Sequence, residues 1–157
     1  MTRHERKFAR THDDVLEDIG AALDIPLSRL EEAKERYESI GAWLDRDGSS
    51  LSGLTPAISP QGSILLGTVI RPLTDREEYD IDLVCLLSAA KSAVTQKQLK
   101  EVIGREVALY AKDHNMANPP EEGRRCWTLV YADGAQFHMD ILPAIPDPQG
   151  YQFMLRA

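Results

Sequence analysis

The chain has 157 residues, 43% hydrophobic and 27% charged, enough for one domain with a real core. No run approaches the roughly eighteen apolar residues of a membrane span, and the charged N-terminus MTRHERKFARTHDD lacks the apolar stretch of a secretory leader. A net charge of −7 and a pI near 5.1 argue against a protein that coats duplex nucleic acid, because such binding neutralises many phosphates with Lys and Arg. A small anionic ligand is compatible with that charge, since a bound metal reverses the local field.

In chain order, the N-terminal third reads as helical. Residues 13–23 place Val15, Leu16, Ile19, Ala22 and Leu23 on one stripe. Pro26 separates this segment from a second helix, where Ser28 and Glu31 form a capping-box pattern ahead of Leu30, Ala33, Tyr37, Ile40 and Leu44. Residues 45–53 (DRDGSSLSG) are a loop by composition. A brief strand over residues 55–61 ends at Pro60. A firmer strand spans 78–87, and its second half, LVCLL, is apolar on both faces, as in a central buried strand. Thr95 and Gln98 cap a helix over 95–112, with Leu99, Val102, Ile103, Val107 and Tyr110 on its stripe. After a loop carrying Pro119-Pro120, residues 126–132 and 135–145 flank Asp133-Gly134, a hairpin signal. This order predicts a mixed α/β (α+β) domain with a small, largely antiparallel sheet. Cys85 and Cys126 have no metal-site spacing and are expected to be free thiols in a reducing cytoplasm.

The chemistry concentrates in two places. Side chains alternate along a strand, so Asp80 and Asp82 share one face while Ile81 and Leu83 take the other. In the later strand, His138, Asp140 and Leu142 share a face opposite Phe137, Met139 and Ile141. If the two strands are neighbours, Asp140 stands beside the Asp80/Asp82 pair. Three carboxylates would repel there unless a cation sat between them, and oxygen-only ligands suit Mg²⁺ or Mn²⁺ rather than zinc. Two such ions about 4 Å apart activate an attacking hydroxyl and stabilise a leaving phosphate oxygen. Upstream, Gly62-Ser63 is expected to form a tight turn that presents N–H groups and a hydroxyl to phosphate, with Gly67-Thr68 extending it. It is not a P-loop, because no G-x-x-x-x-G-K-[ST] is present.

Gly-Ser, then Gly-Thr, then YDIDLV, then a distant FHMDILP together resemble the polymerase-β-type nucleotidyltransferase superfamily. The longer phrases GSILLGTVIRPL, EYDIDLV and FHMDILPAIPD resemble, more narrowly, the bacterial cGAS/DncV-like nucleotidyltransferases (CD-NTases), which make cyclic di- or trinucleotide messengers in antiphage defence. The resemblance spans roughly residues 55–146. It implies metal-binding roles for Asp80, Asp82 and Asp140 and donor-triphosphate contacts at Gly62 and Ser63. Gly67 and Thr68 belong to the same pattern. It also implies nucleoside triphosphates such as ATP or GTP as substrates. The domain division it implies is an N-terminal helical region over 1–54 and a catalytic core over 55–157. The family's helical C-terminal lobe, which closes the nucleotide cleft, is expected to be absent, since only seventeen residues follow Asp140.

Each residue also has a plainer reading. Asp80 and Asp82 could be a solvated strand face, Asp140 a strand-end cap, and His138 a hydrogen-bonded structural residue. Arg71 beside Pro72 suits a turn, and Arg124-Arg125 an exposed basic pair. Trp43 and Trp127 read as core. Two other functions stay open: a minimal nucleotidyltransferase of toxin–antitoxin type that modifies a protein or RNA, and a truncated module without activity. An apolar face left by a missing lobe would favour self-association.

Overall fold

Thr11 starts the first helix by a reciprocal cap. Its side chain accepts from the Asp14 N–H at 3.1 Å, while the Asp14 carboxylate accepts from the Thr11 N–H at 2.7 Å. The computed structural model describes residues 10–74, 78–131 and 137–147. Helix α1 (His12–Leu23) buries no residue, and Leu16 on the expected stripe is 65% exposed. That stripe is amphipathic but is not packed into the core.

Helix α2 (Leu27–Asp45) corrects the expected Ser28/Glu31 capping box. The helix begins one residue before Ser28, and Pro26 holds the cap position with no side-chain bond. The physical reason is the proline: its fixed φ sets an extended entry, and its carbonyl accepts from the N–H groups of Arg29 and Leu30. Ser28 is thereby drawn inside the helix. The stripe itself is as expected, with Ala33, Ile40 and Leu44 buried and Leu30 and Tyr37 half-buried. Through it α2 packs on the sheet edge and on α4 (Gln96–Asp113).

The sheet consists of β1 (Ala57–Pro60), β2 (Tyr79–Leu86), β3 (Glu121–Glu122), β4 (Trp127–Tyr131) and β5 (Phe137–Ala144), in the order β1-β2-β5-β4-β3. All neighbours are antiparallel except the central pair β2–β5, which is parallel. A parallel pair needs a crossover, and α4 lies within the chain that provides it. Pro60 sits on the edge strand β1, where a missing N–H is tolerated. The expected Asp133-Gly134 turn lies outside the described residues, but the two strands it would join are paired antiparallel.

Alternation sorts the sheet into two faces. Ile81, Leu83 and Cys85 of β2 and Phe137, Met139 and Ile141 of β5 are buried under α2 and α4. The opposite face is open: Leu86 is 41% and Leu142 36% exposed. The apolar run 83–87 is therefore central in the sheet but covered on one face only. Burial pushes the Cys85 thiol up to about 12, so it behaves as a small hydrophobe. Both cysteines are free.

Helix α4 carries the Thr95/Gln98 cap as expected and buries Leu99, Ile103, Val107 and Tyr110. It also buries two residues whose roles only the fold reveals. A β-carbon on Gly104 would overlap the Trp127 indole, whose Nε1 donates to the Lys100 carbonyl at 2.8 Å. Glu106, 3% exposed, accepts from Arg46 Nη1 (2.8 Å), the Ser50 N–H (2.8 Å) and the Ser50 hydroxyl (2.7 Å). Burial works against its charge, but these donors outweigh burial and hold the carboxyl below its ordinary value. Glu106 thus ties the loop after α2 to the middle of α4.

Candidate active site

The parallel pairing of β2 with β5 sets Asp82 beside Asp140 and Asp80 beside His138. Register partners in neighbouring strands project to the same face. All four residues therefore belong to the open face of the sheet, as the alternation predicted. The acids lead the strand because the core claims the alternate positions: Ile81 and Leu83 are each 1% exposed.

The three carboxylates differ in surroundings. The Asp80 side chain is 85% exposed, with its Oδ1 4.0 Å from His138 Nδ1. Asp82 is exposed, and its backbone carbonyl accepts from the Gln61 N–H at 2.7 Å. Asp140 is half-buried and accepts from the Thr128 hydroxyl and, at 3.4 Å, from Cys126 Sγ. Burial first, then the Asp140 charge, raises the Cys126 thiol, so this cysteine stays protonated beside the carboxylate. His138 Nε2 rests against Glu78.

Gly62 and Ser63 open α3 (Gly62–Leu66), a five-residue helix rather than the expected tight turn. The reason is local. Gly62 at φ +58° turns the chain out of β1, after which Ser63 and the residues behind it close one helical turn. The first N–H groups of a helix have no partner within it. Gly62 also faces the acids directly, since a β-carbon there would overlap the Asp82 carboxylate. Gly67 ends the helix at φ +66°, and the Gly67 and Thr68 N–H groups return to the carbonyls of Ile64 and Ser63. Those two amides are engaged in closing α3. Thr68 joins Ser63 and Asp80 in lining a cavity of about 280 Å³. A neighbouring cavity of about 300 Å³ holds Gly62, Asp82 and Asp140. Six of the seven expected site residues thus fall around two hollows, and Gly67 is among the lining residues of neither. Arg71 lines the first and Arg125 the second.

The donor set suits a hard divalent cation: carboxylate oxygens on one strand face, with a glycine leaving room beside them. As the side chains stand, no three His, Cys, Asp or Glu among the described residues form a metal-binding cluster. Asp140 is turned to Thr128 and Cys126, and Asp80 to solvent. Thr128 and Cys126 were not foreseen from sequence. The signal was available in the hairpin register, which places Thr128 opposite Asp140.

A Gly-Ser helix start against a D-x-D strand, with a third Asp on the parallel neighbour, defines a nucleotidyltransferase fold of the polymerase-β type. Comparison with known proteins narrows this. Residues 56–143 match the family model described as cyclic GMP-AMP synthase DncV-like, nucleotidyltransferase domain, and the chain belongs to that family. It is 29% identical over 146 residues to the cyclic dinucleotide synthase CdnG of Bradyrhizobium diazoefficiens, covering 90% of this chain and 32% of the relative. It is 27% identical over 131 residues to a c-di-GMP synthase of Roseivirga ehrenbergii, covering 83% of this chain and 33% of that protein. The solved structure of CdnG in complex with GTP superposes with a TM-score of 0.72 at 28% identity, covering 90% of this chain and 40% of the other. Vibrio cholerae DncV, at 13% identity, shares the fold with a TM-score of 0.65, covering 87% of this chain and 49% of its own. The chain spans about a third of the length of the curated relatives it matches.

Proposed function

We propose that this chain is the catalytic portion of a cyclic dinucleotide synthase that joins nucleoside triphosphates, GTP among them, with release of pyrophosphate. The observation that carries the reading is the shared open face of Asp80, Asp82 and Asp140 on two adjacent parallel strands, beside Gly62. The names of the two curated relatives, both cyclic dinucleotide synthases, support it.

In this reading Asp80, Asp82 and Asp140 hold Mg²⁺ or Mn²⁺, and Gly62, Ser63 and Thr68 border the donor triphosphate. When bound, the metal lowers the pKa of a nucleotide hydroxyl and neutralises charge on the phosphates. The hydroxyl oxygen of one nucleotide bonds to the α-phosphorus of the other. The α–β bridging P–O bond breaks, its electron pair leaves on pyrophosphate, and the hydroxyl proton passes to solvent. A second such step closes the ring. The protein's own contribution is orientation: Thr128 holds Asp140, and Gly62 keeps the space beside Asp82 clear.

The catalytic core falls within residues 55–157, braced by the helices before it. The setting is cytoplasmic signalling in antiphage defence, and no helix among the described residues is long and apolar enough to cross a membrane. Leu65, Leu66 and Leu73, exposed by 65%, 73% and 71%, support self-association, which a concentration-dependent size in solution tests.

The test incubates the chain with all four ribonucleoside triphosphates and Mg²⁺ or Mn²⁺, treats products with phosphatase and reads them by mass spectrometry. Binding of GTP with Mn²⁺ is titrated in parallel. A phosphatase-resistant cyclic product and metal-dependent GTP binding, both lost in Asp80→Ala/Asp82→Ala, are expected. A double variant that behaves like the parent overturns the metal assignment.

A further inference from the structure

Arg71 is the single cation among the residues that line the hollow of Ser63, Thr68 and Asp80, and Glu78 is a second acid there. The arginine takes no part in the local pairing. Glu78 is taken up by His138, whose other ring nitrogen stands 4.0 Å from Asp80 Oδ1. Arg71 is exposed, and its side chain has no ion-pair or hydrogen-bond partner among the described residues. A guanidinium that shares a hollow with two carboxylates and pairs with neither is available to an incoming anion.

Its backbone, by contrast, is tied at both ends. The Thr68 N–H donates to the Ser63 carbonyl at 2.8 Å, which fastens the start of the segment to α3. The Arg71 N–H donates to the Leu23 carbonyl at 2.7 Å, and Ile70 forms an antiparallel bridge with Asp24. Pro72 then restricts the next φ. Helix α1, which buries no residue, thus ends against the segment that carries this arginine.

Resting on the function proposed above, we infer that Arg71 binds the β- and γ-phosphates of the donor and holds them as the leaving pyrophosphate. The reacting α-phosphorus belongs with Asp82 and Asp140, which line the second hollow with Gly62. The rest of the triphosphate then extends past Ser63 into the hollow of Asp80 and Arg71. Charge calls for a cation there. A metal held by Asp80, Asp82 and Asp140 is largely offset by those carboxylates, so much of the triphosphate charge stays unbalanced. When the α–β P–O bond breaks, its electron pair moves onto pyrophosphate and negative charge grows on the departing group. A guanidinium offers paired N–H groups to such oxygens and stays protonated throughout.

The test is calorimetric titration of the full chain in Mg²⁺ with GTP, GMP and inorganic pyrophosphate as probes. Arg71→Ala is expected to weaken GTP and pyrophosphate each about tenfold or more, since charge-assisted phosphate contacts are worth at least that, and to leave GMP unchanged. Arg71→Lys is expected to recover part of the loss. Arg105→Ala removes an exposed arginine from α4 as a charge control and is expected to bind like the parent. Arg71 is exposed and its bond to Leu23 is made by the backbone, so unchanged thermal melts are expected. A parent that does not bind pyrophosphate, or an Arg71→Ala variant that binds it equally well, overturns the inference. An equal loss in Arg105→Ala reduces the effect to net charge and also overturns it. Weakened GMP binding places Arg71 at the nucleoside and overturns the leaving-group assignment. The catalytic reading is judged separately: its metal site fails if Asp80→Asn/Asp82→Asn binds GTP like the parent, a result that leaves the Arg71 comparison intact.

Discussion

Gly62 and Asp82 are in direct contact: the face of Gly62 that a side chain would occupy is filled by the Asp82 carboxylate. The Gln61 N–H reinforces the junction by donating to the Asp82 carbonyl at 2.7 Å. The Gly-Ser pair and the D-x-D pair, separate in the sequence, are one structural unit.

Gly62→Ala is therefore expected to be damaging twice over. Residue 62 has φ +58°, which costs a residue with a β-carbon about 1–2 kcal/mol, and the new methyl displaces the Asp82 carboxylate. Thermal melts with and without Mn²⁺ check this. A lowered melting temperature is expected together with a reduced metal-induced rise.

Thr128→Val removes the hydroxyl that orients Asp140 while keeping the shape of a half-buried strand position. A residue that orients a ligand carboxylate is typically worth about 10–100-fold in metal affinity. Titration of Mn²⁺ against the variant is expected to show a loss in that range. Thr128→Ser keeps the hydroxyl and is expected to retain most of the affinity.

Gly104→Ala sets two effects against each other. Alanine favours a helix interior by about 1 kcal/mol over glycine. Here its methyl meets the Trp127 indole, and overpacking of that kind costs about 1–3 kcal/mol. A net loss in urea-unfolding free energy is expected, with Trp127 fluorescence altered in the folded state.

Glu106 gives the fold an acid-sensitive tie. Its carboxyl is held below the ordinary value of 4.5, so its contribution is complete above that pH. The contribution is lost as pH falls below 4.5 through the lowered folded value. Glu106→Gln is expected to cost about 1–3 kcal/mol at pH 7, because the Arg46 and Ser50 donors lose a charged acceptor. The gap between parent and variant is expected to narrow below pH 4.5, as read from urea midpoints across pH.

Much of this was legible in the residues because it is local or periodic. The Thr95/Gln98 cap, the α4 stripe and the division of β2 and β5 into acidic and apolar faces all follow from short-range spacing. Where two local signals competed, the reading went to the wrong one. Ser28 with Glu31 matches a capping box, but Pro26 starts the helix earlier. Gly62-Ser63 matches a turn, but the residues behind it complete a helical one. What depends on tertiary placement was not legible. Nothing around Glu106 announces that Arg46 and Ser50 will meet it, and nothing around Gly104 announces Trp127. The open outer face of the apolar run 83–87 likewise depends on which layers the fold supplies.

The parallel pairing of β2 and β5 has a consequence for how the protein is made. Asp82 and Asp140 face each other only after α4 and β4, which separate them in the chain, have been placed. β2 alone carries Asp80 and Asp82, and Asp140 joins them only when β5 has paired with it. Contacts between distant segments form late, because closing long loops carries an entropic cost before any contact rewards it. Under the metal assignment proposed above, a chain still emerging from the ribosome presents only Asp80 and Asp82, and full affinity for the ion is expected only once the sheet has closed.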